Sequence, residues 1–149
     1  MTLIDQAQIR TLIPHAGAMC LLEAVIAWDE NRIVCETWTH CDPAHPLRRQ
    51  GRLSALHGVE YGAQAAAIHG CLCAQSAGKT APPGYLAALR DVRWFAAELD
   101  TVAAPLEVAA DLLMGDGDSC IYAIRVSAAG QALVEARITI APQPQSGVD

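Results

Sequence analysis

Between Arg52 and Lys79 the chain carries a single formal charge, Glu60, set among alanines, glycines and short apolar side chains. A run this long is either a membrane span or a buried helix. The span fails: alanine, glycine, histidine, glutamate and glutamine leave the segment too weakly apolar for the hydrocarbon layer. The sequence therefore predicts one long buried helix from Ser54 to Gly78. Ser54 can cap it by accepting from the first unpaired backbone N–H groups, and Gly78 can end it. Val59, Ala63, Ala66, Ala67, Gly70, Cys71 and Ala74 recur at helical spacing and predict a small-residue stripe lying close against a sheet. Each glycine at 58, 62 and 70 costs about 1 kcal/mol against alanine in a helix interior. Close packing or close approach of a ligand is expected there in compensation.

Glu60 is the costly member of this helix. A carboxylate in apolar surroundings must be paired or must shift its pKa upward, and such groups are often put to chemical use. His57, Glu60 and Gln64 are spaced three and four residues apart, so they share one helical face.

The rest of the chain wraps this helix. Residues 3 to 13 predict a short amphipathic helix stopped by Pro14. Ala18 to Trp28 reads as a buried strand, Asp29-Glu30-Asn31 as a turn, and Arg32 to Thr39 as an alternating second strand. Cys41 to Leu53 is a polar loop, and Lys79 to Gly84 a proline-rich connection. Four strand-like runs follow at 85–95, 105–114, 119–128 and 131–141, with turns at Gly115–Asp118 and Ala129–Gln131. Residues 1–141 make a single domain, with 142–149 as a disordered tail. Short helix, two strands, long helix, four strands is an α+β order, and one antiparallel sheet wrapped around one long central helix, the hot-dog fold, satisfies it. Such a sheet keeps open edges, so a dimer through an edge is expected.

Charge and cysteine content exclude several function classes. Ten basic against 16 acidic residues, a net charge of −6, argue against nucleic acid as a partner. Met1 to Pro14 lacks the sustained apolar run of an export signal, so the six cysteines are expected as thiols in a reducing cytoplasm. Cys71-Leu-Cys73 is not a metal or redox spacing, and no metal site is expected; Cys20, Cys35, Cys41 and Cys120 read as small core residues.

Three segments together carry a resemblance. Leu12-Ile-Pro-His-Ala-Gly-Ala-Met-Cys-Leu-Leu-Glu, then His45-Pro46, then Gly58-Val-Glu-Tyr-Gly-Ala-Gln-Ala resembles the FabA/FabZ-type 3-hydroxyacyl-acyl carrier protein dehydratases. The likeness is to the divergent branch found with aryl polyene clusters, over about residues 10 to 141. The resemblance implies an active site made of a loop histidine and a helix carboxylate from opposite subunits of a dimer, here His45 and Glu60, which stand 15 residues apart. It also implies an amide one turn past the acid, Gln64. The housekeeping enzymes carry Gly-His-Phe-Pro-Gly in the loop, whereas this chain has Pro-Ala-His-Pro-Leu at 43 to 47.

Dehydration of a 3-hydroxyacyl thioester needs a base for the C2 proton, an acid for the leaving hydroxyl and donors for the thioester carbonyl. His45 is the expected base, with the nearby His57 as its competitor. Glu60 is the expected acid, kept protonated by burial. The N–H groups around Leu56 to Gly58 are expected to polarise the carbonyl, Gln64 to orient Glu60, and His57, Gly58 and Gln64 to line the substrate site, with Gly58 letting substrate approach. Arg48, Arg49 and Arg52 form either a solvated cluster or a patch for the phosphopantetheine phosphate or the acidic acyl carrier protein. The protein needs no cofactor of its own on this reading, since phosphopantetheine carries the substrate. His15 is assigned a structural role, and His40 and His69 none. Expected partners are acyl carrier protein and a second hot-dog subunit, identical or related, with higher assembly open. Two other readings compete: a non-catalytic subunit that pairs with an active homologue, and a hot-dog acyl thioesterase.

Overall fold

The computed structural model describes residues 1–13, 17–80, 84–116 and 119–142. His15, the Pro-rich link at 81–83, the turn at 117–118 and the tail from 143 lie outside the described residues. Asp5 opens helix α1 (Gln6–Leu12) with a capping box. Its carboxylate accepts the Gln8 N–H at 2.9 Å, and the Gln8 side chain accepts the Asp5 N–H at 3.0 Å. The two residues before α1 are not helical; β1 (Ile4–Asp5) pairs with β2 (Ala24–Asp29).

The first long strand starts later than its apolar pattern predicts. Gly17–Met19 is a 3-10 turn, and β2 begins only at Ala24. The reason lies in Leu21. Its N–H donates to Gln64 and its carbonyl accepts from the hydroxyls of Thr37 and Thr39, so side chains rather than a ladder satisfy this backbone. After a turn in which the Asp29 carboxylate accepts the Asn31 N–H at 2.7 Å, β3 (Arg32–Thr37) returns. The later strands β4 (Gly84–Trp94), β5 (Leu106–Asp116), β6 (Ser119–Ala128) and β7 (Gln131–Pro142) fall on the four expected runs. All pairs are antiparallel, in the order β1-β2-β3-β5-β6-β7-β4.

A 3-10 turn at Ala55–His57 leads into helix α2 (Gly58–Ser76), which lies across β3, β5, β6 and β7. Ser54 caps the turn rather than the α-helix: its hydroxyl accepts the Leu56 N–H at 3.2 Å. Gly78, at φ +70°, ends the segment, with the Lys79 N–H reaching back to the Ala74 carbonyl. Only part of the small-residue stripe is buried. Gly58, Gly62 and His69 meet strands β6 and β7 of the sheet, and Val59 and Ala66 of the stripe are buried, whereas Ala63, Ala67, Gly70, Cys71 and Ala74 are only half-buried. Large side chains fill the core, and glycine serves where backbone meets sheet: a Cβ at Gly58 would run into Val134, and one at Gly62 into Ile124. The small residues on the other side make room for α1, where the Cys71 thiol donates to the Leu12 carbonyl at 3.0 Å.

Strand β4 is an edge, and little of it is covered. Tyr85, Leu86, Leu89 and Trp94 are exposed along it, with Phe95 just beyond. Cys20 and Cys35 are core residues as expected, but Cys41 is exposed on the 3-10 turn Thr39–Cys41, where its thiol points to the Val102 carbonyl. No disulfide joins any of the six cysteines. Among the described residues no helix is long and apolar enough to cross a membrane, and no three His, Cys, Asp or Glu cluster as metal ligands.

Candidate active site

Gln64 is the fixed point of the site. It is 1% exposed, and every polar hydrogen it owns is used. Its Oε1 accepts the Leu21 N–H at 3.0 Å, and its Nε2 donates to the Met19 carbonyl at 2.8 Å and to Glu60 Oε1 at 3.3 Å. The amide is consumed inside the protein, so it orients Glu60 across one helical turn and has no donor left for a ligand. Glu60 itself is half-buried on the first turn of α2, not enclosed in the core as the apolar run suggested.

His45 is 5% exposed and doubly bound. Its Nδ1 accepts the Leu47 N–H at 3.1 Å, and its Nε2 lies 3.0 Å from the Tyr61 hydroxyl. A backbone N–H can only donate, so Nδ1 carries a lone pair and the neutral ring carries its proton on Nε2. The hydrogens then run one way: Nε2–H to Tyr61 Oη, Tyr61 to Thr39 Oγ1 at 2.8 Å, and Thr39 to the Leu21 carbonyl at 2.7 Å. Burial, with the Arg48 guanidinium next in effect, holds the His45 ring below its ordinary pKa. Burial likewise pushes the Tyr61 phenol up to about 12. Tyr61 and Thr39 had no part in the sequence-based site. The only signal for Tyr61 was its place beside Glu60 in the helix motif.

The helix-start amides are not open donors. Leu56 N–H goes to Ser54 Oγ, His57 N–H to the Ser54 carbonyl at 3.0 Å, and Gly58 N–H to the carbonyls of Ala55 and Leu56. Gly58 faces Val134 rather than a ligand space. The 3-10 turn, which the helical pattern did not distinguish from α-helix, absorbs these groups.

The three loop arginines separate. Arg48 turns inward and stitches the loop, donating to the carbonyls of Gly51 at 2.9 Å and His40 at 3.1 Å. Arg52 lies 2.8 Å from Glu98 and 3.8 Å from Asp100. The Leu53 N–H, donated to Asp100 at 2.8 Å, holds that carboxyl below the usual carboxylate range. Arg49 is exposed. Arg49 and Arg52 join Ser54, His57, Ala97 and Glu98 around a cavity of about 300 Å³ at the start of α2. His57 is half-buried in this wall, and no described residue hydrogen-bonds its ring.

The two histidines given no role in the sequence are structural. His40 is fully buried and donates from Nε2 to the Val102 carbonyl at 3.0 Å. His69, also fully buried, donates from Nε2 to the Asp29 carbonyl and accepts the Tyr122 hydroxyl at Nδ1, both at 2.8 Å. It ties α2 to β6 and to the β2–β3 turn.

One long helix cradled by a seven-stranded antiparallel sheet defines a protein of the hot-dog class. Solved structures share the fold. The dehydratase heterocomplex ApeI:P from Xenorhabdus doucetiae is 24% identical, with 93% of this chain and 92% of that chain covered and a TM-score of 0.82. A mutant thioesterase from Pseudomonas aeruginosa is 14% identical, covering 93% and 94%, with a TM-score of 0.64. A thioesterase from Haemophilus influenzae is 11% identical, covering 83% and 82%, with a TM-score of 0.59. No curated protein sequence matches the chain. The family model described as ApeP-like, ApeP dehydratase, matches residues 7–148, and the chain belongs to that family.

Proposed function

We propose that this chain is a subunit of a dehydratase that converts a 3-hydroxyacyl thioester, carried on the phosphopantetheine of acyl carrier protein, to the trans-2-enoyl thioester. The observation that carries the reading is the Gln64–Glu60 pair: a carboxyl with one oxygen fixed by a buried amide that is itself locked to Leu21 and Met19. A fixed acid beside a reacting hydroxyl is what the elimination requires. Glu60 in its acid form holds the C3 hydroxyl and gives it a proton as the C3–O bond breaks. An imidazole takes the C2 proton.

The site is read as shared with a second hot-dog subunit across the exposed edge of β4. The ApeI:P dehydratase is a heterocomplex, and a related rather than identical partner is the reading favoured here, because the helix-start donors of this chain are already spent within its own 3-10 turn. The partner then supplies the donors that polarise the carbonyl. Of the arginines, Arg49 and Arg52 at the cavity are left to meet the phosphopantetheine phosphate, while Arg48 belongs to the loop.

The test is to mix the purified chain, alone and with a related hot-dog subunit, with a short 3-hydroxyacyl-acyl carrier protein and follow the acyl mass. Loss of one water, abolished by Glu60→Gln with the fold intact, is the expected result. Full turnover by Glu60→Gln removes Glu60 from the mechanism. Release of a free acid would make the protein a thioesterase.

A further inference from the structure

We infer that β4 selects its partner by charge: Arg90 and Arg93 keep a second copy of this chain off the edge and admit a related hot-dog subunit whose own edge strand carries carboxylates at the facing positions. The inference rests on the two-subunit reading above and names what chooses the second subunit. The strand register gives β4 two unlike faces. Leu86, Leu89 and Trp94 stand opposite Ile140, Ile138 and Val134, on the side of the sheet that α2 covers. The helix lies across β3, β5, β6 and β7 and leaves these three side chains exposed. Such an apolar face calls for cover. Arg90 and Arg93 stand opposite Arg137 and Glu135 on the other side of the sheet, and both are exposed. The neighbouring acids are already engaged. Glu135 lies 3.5 Å from Arg125, and Asp91, at φ +53°, lies 4.0 Å from Arg137. Among the described residues no carboxylate pairs with Arg90 or Arg93. Arg93 rests over the Phe95 ring at 5.8 Å.

Two copies joined antiparallel along the whole of Gly84–Trp94 put Arg90 of one opposite Ala88 of the other. The two Arg90 residues are then diagonal neighbours, about 7–8 Å apart, each with Arg137 directly behind it. A slide toward the carboxyl end sets Arg90 and Arg93 of the two copies face to face. A slide toward the amino end leaves Trp94 without a facing strand. Each register that covers both Leu89 and Trp94 therefore gathers guanidinium groups along the seam, and like charges across a strand pair are destabilising. A strand of the same apolar face with Asp or Glu at the facing positions gains the same cover with the sign of the interaction reversed.

The test makes a complementary partner from the chain itself. Sedimentation velocity over a concentration series compares wild type, Arg90→Glu/Arg93→Glu, their equimolar mixture, and Arg90→Ala/Arg93→Ala. The mixture should associate about tenfold more tightly than wild type with itself, and the alanine variant should self-associate about tenfold more tightly than wild type. Both differences should shrink at about 1 M salt. Leu89→Arg in both members of the mixture should abolish the association, which locates it on β4. With the related subunit of the dehydration assay, Arg90→Glu/Arg93→Glu should bind about tenfold more weakly than wild type. Wild type that self-associates as tightly as the mixture or the alanine variant, a mixture that survives Leu89→Arg, or equal binding of the related subunit by both forms would each overturn the inference. Should a variant fail to fold by circular dichroism, wild type decides alone: its self-association should tighten from low ionic strength to about 1 M salt, and a flat or falling response overturns the inference. Dehydration is followed on the same samples. Turnover by a tight wild-type homodimer would keep the dehydratase reading and remove this one, whereas charge-dependent association without turnover in any preparation would do the opposite.

Discussion

At the scale of the residue, position in the sequence and position in a hydrogen-bond network proved to be different things. Gln64 looked like a polar residue near substrate; its amide is instead the most completely satisfied group in the site. Gln64→Leu should therefore do two separable things. It strands the Leu21 N–H and the Met19 carbonyl, each costing about 1–3 kcal/mol, and it releases Glu60. Urea unfolding should show the first, and a fall in kcat larger than the change in KM the second. Arg48→Ala should lower stability, since Arg48 bonds the carbonyls of His40 and Gly51, and should leave carrier-protein affinity unchanged. Arg49→Ala should do the reverse, read by the affinity of the carrier protein.

At the scale of the element, α2 shows what helical periodicity can and cannot say. The pattern located the helix and its end at Gly78, but not the side the sheet would take. Small residues are equally compatible with a sheet, a neighbouring helix or solvent, so spacing alone leaves the face open. The glycines separate the cases. Gly58→Ala and Gly62→Ala push a Cβ into Val134 and Ile124 and should each cost about 1–3 kcal/mol. Gly70 has nothing within reach of an added Cβ, so Gly70→Ala should stabilise by up to about 1 kcal/mol. Melting temperatures of the three variants check both signs at once.

For the whole molecule, two consequences follow from burial. His40 and His45 are both held below the ordinary histidine value of 6.5 by burial in the same loop. Between their folded values and 6.5 the unfolded chain binds more protons, so stability is full above the ordinary value and is lost as pH falls through it. Urea midpoints should drop on acidification in that window, and His45→Gln should lessen the drop. The second consequence concerns the edge. Tyr85, Leu86 and Leu89 lie exposed on β4, which pairs with β7 on one side and leaves its other edge to invite another strand. Leu89→Arg should abolish association with a hot-dog partner, seen as a smaller mass in light scattering, without lowering the helix content.

The sequence by itself determined the architecture: a charge-poor helix of sheet-spanning length, four alternating runs after it and two before leave little else to build. It also marked Glu60, because a lone carboxylate in an apolar helix is conspicuous in any sequence. Only the tertiary structure decided what surrounds that carboxylate. Which nitrogen of a histidine keeps its proton depends on which one meets a backbone N–H, and Leu47 meets His45 Nδ1 through the curl of the loop. Whether a helix start offers open amides depends on a 3-10 turn that periodicity does not resolve. Whether three arginines form a patch depends on the carbonyls and carboxylates that fold brings beside them. Each is a matter of directional contact between distant segments, while the pattern of a sequence records only which side chains prefer to leave water.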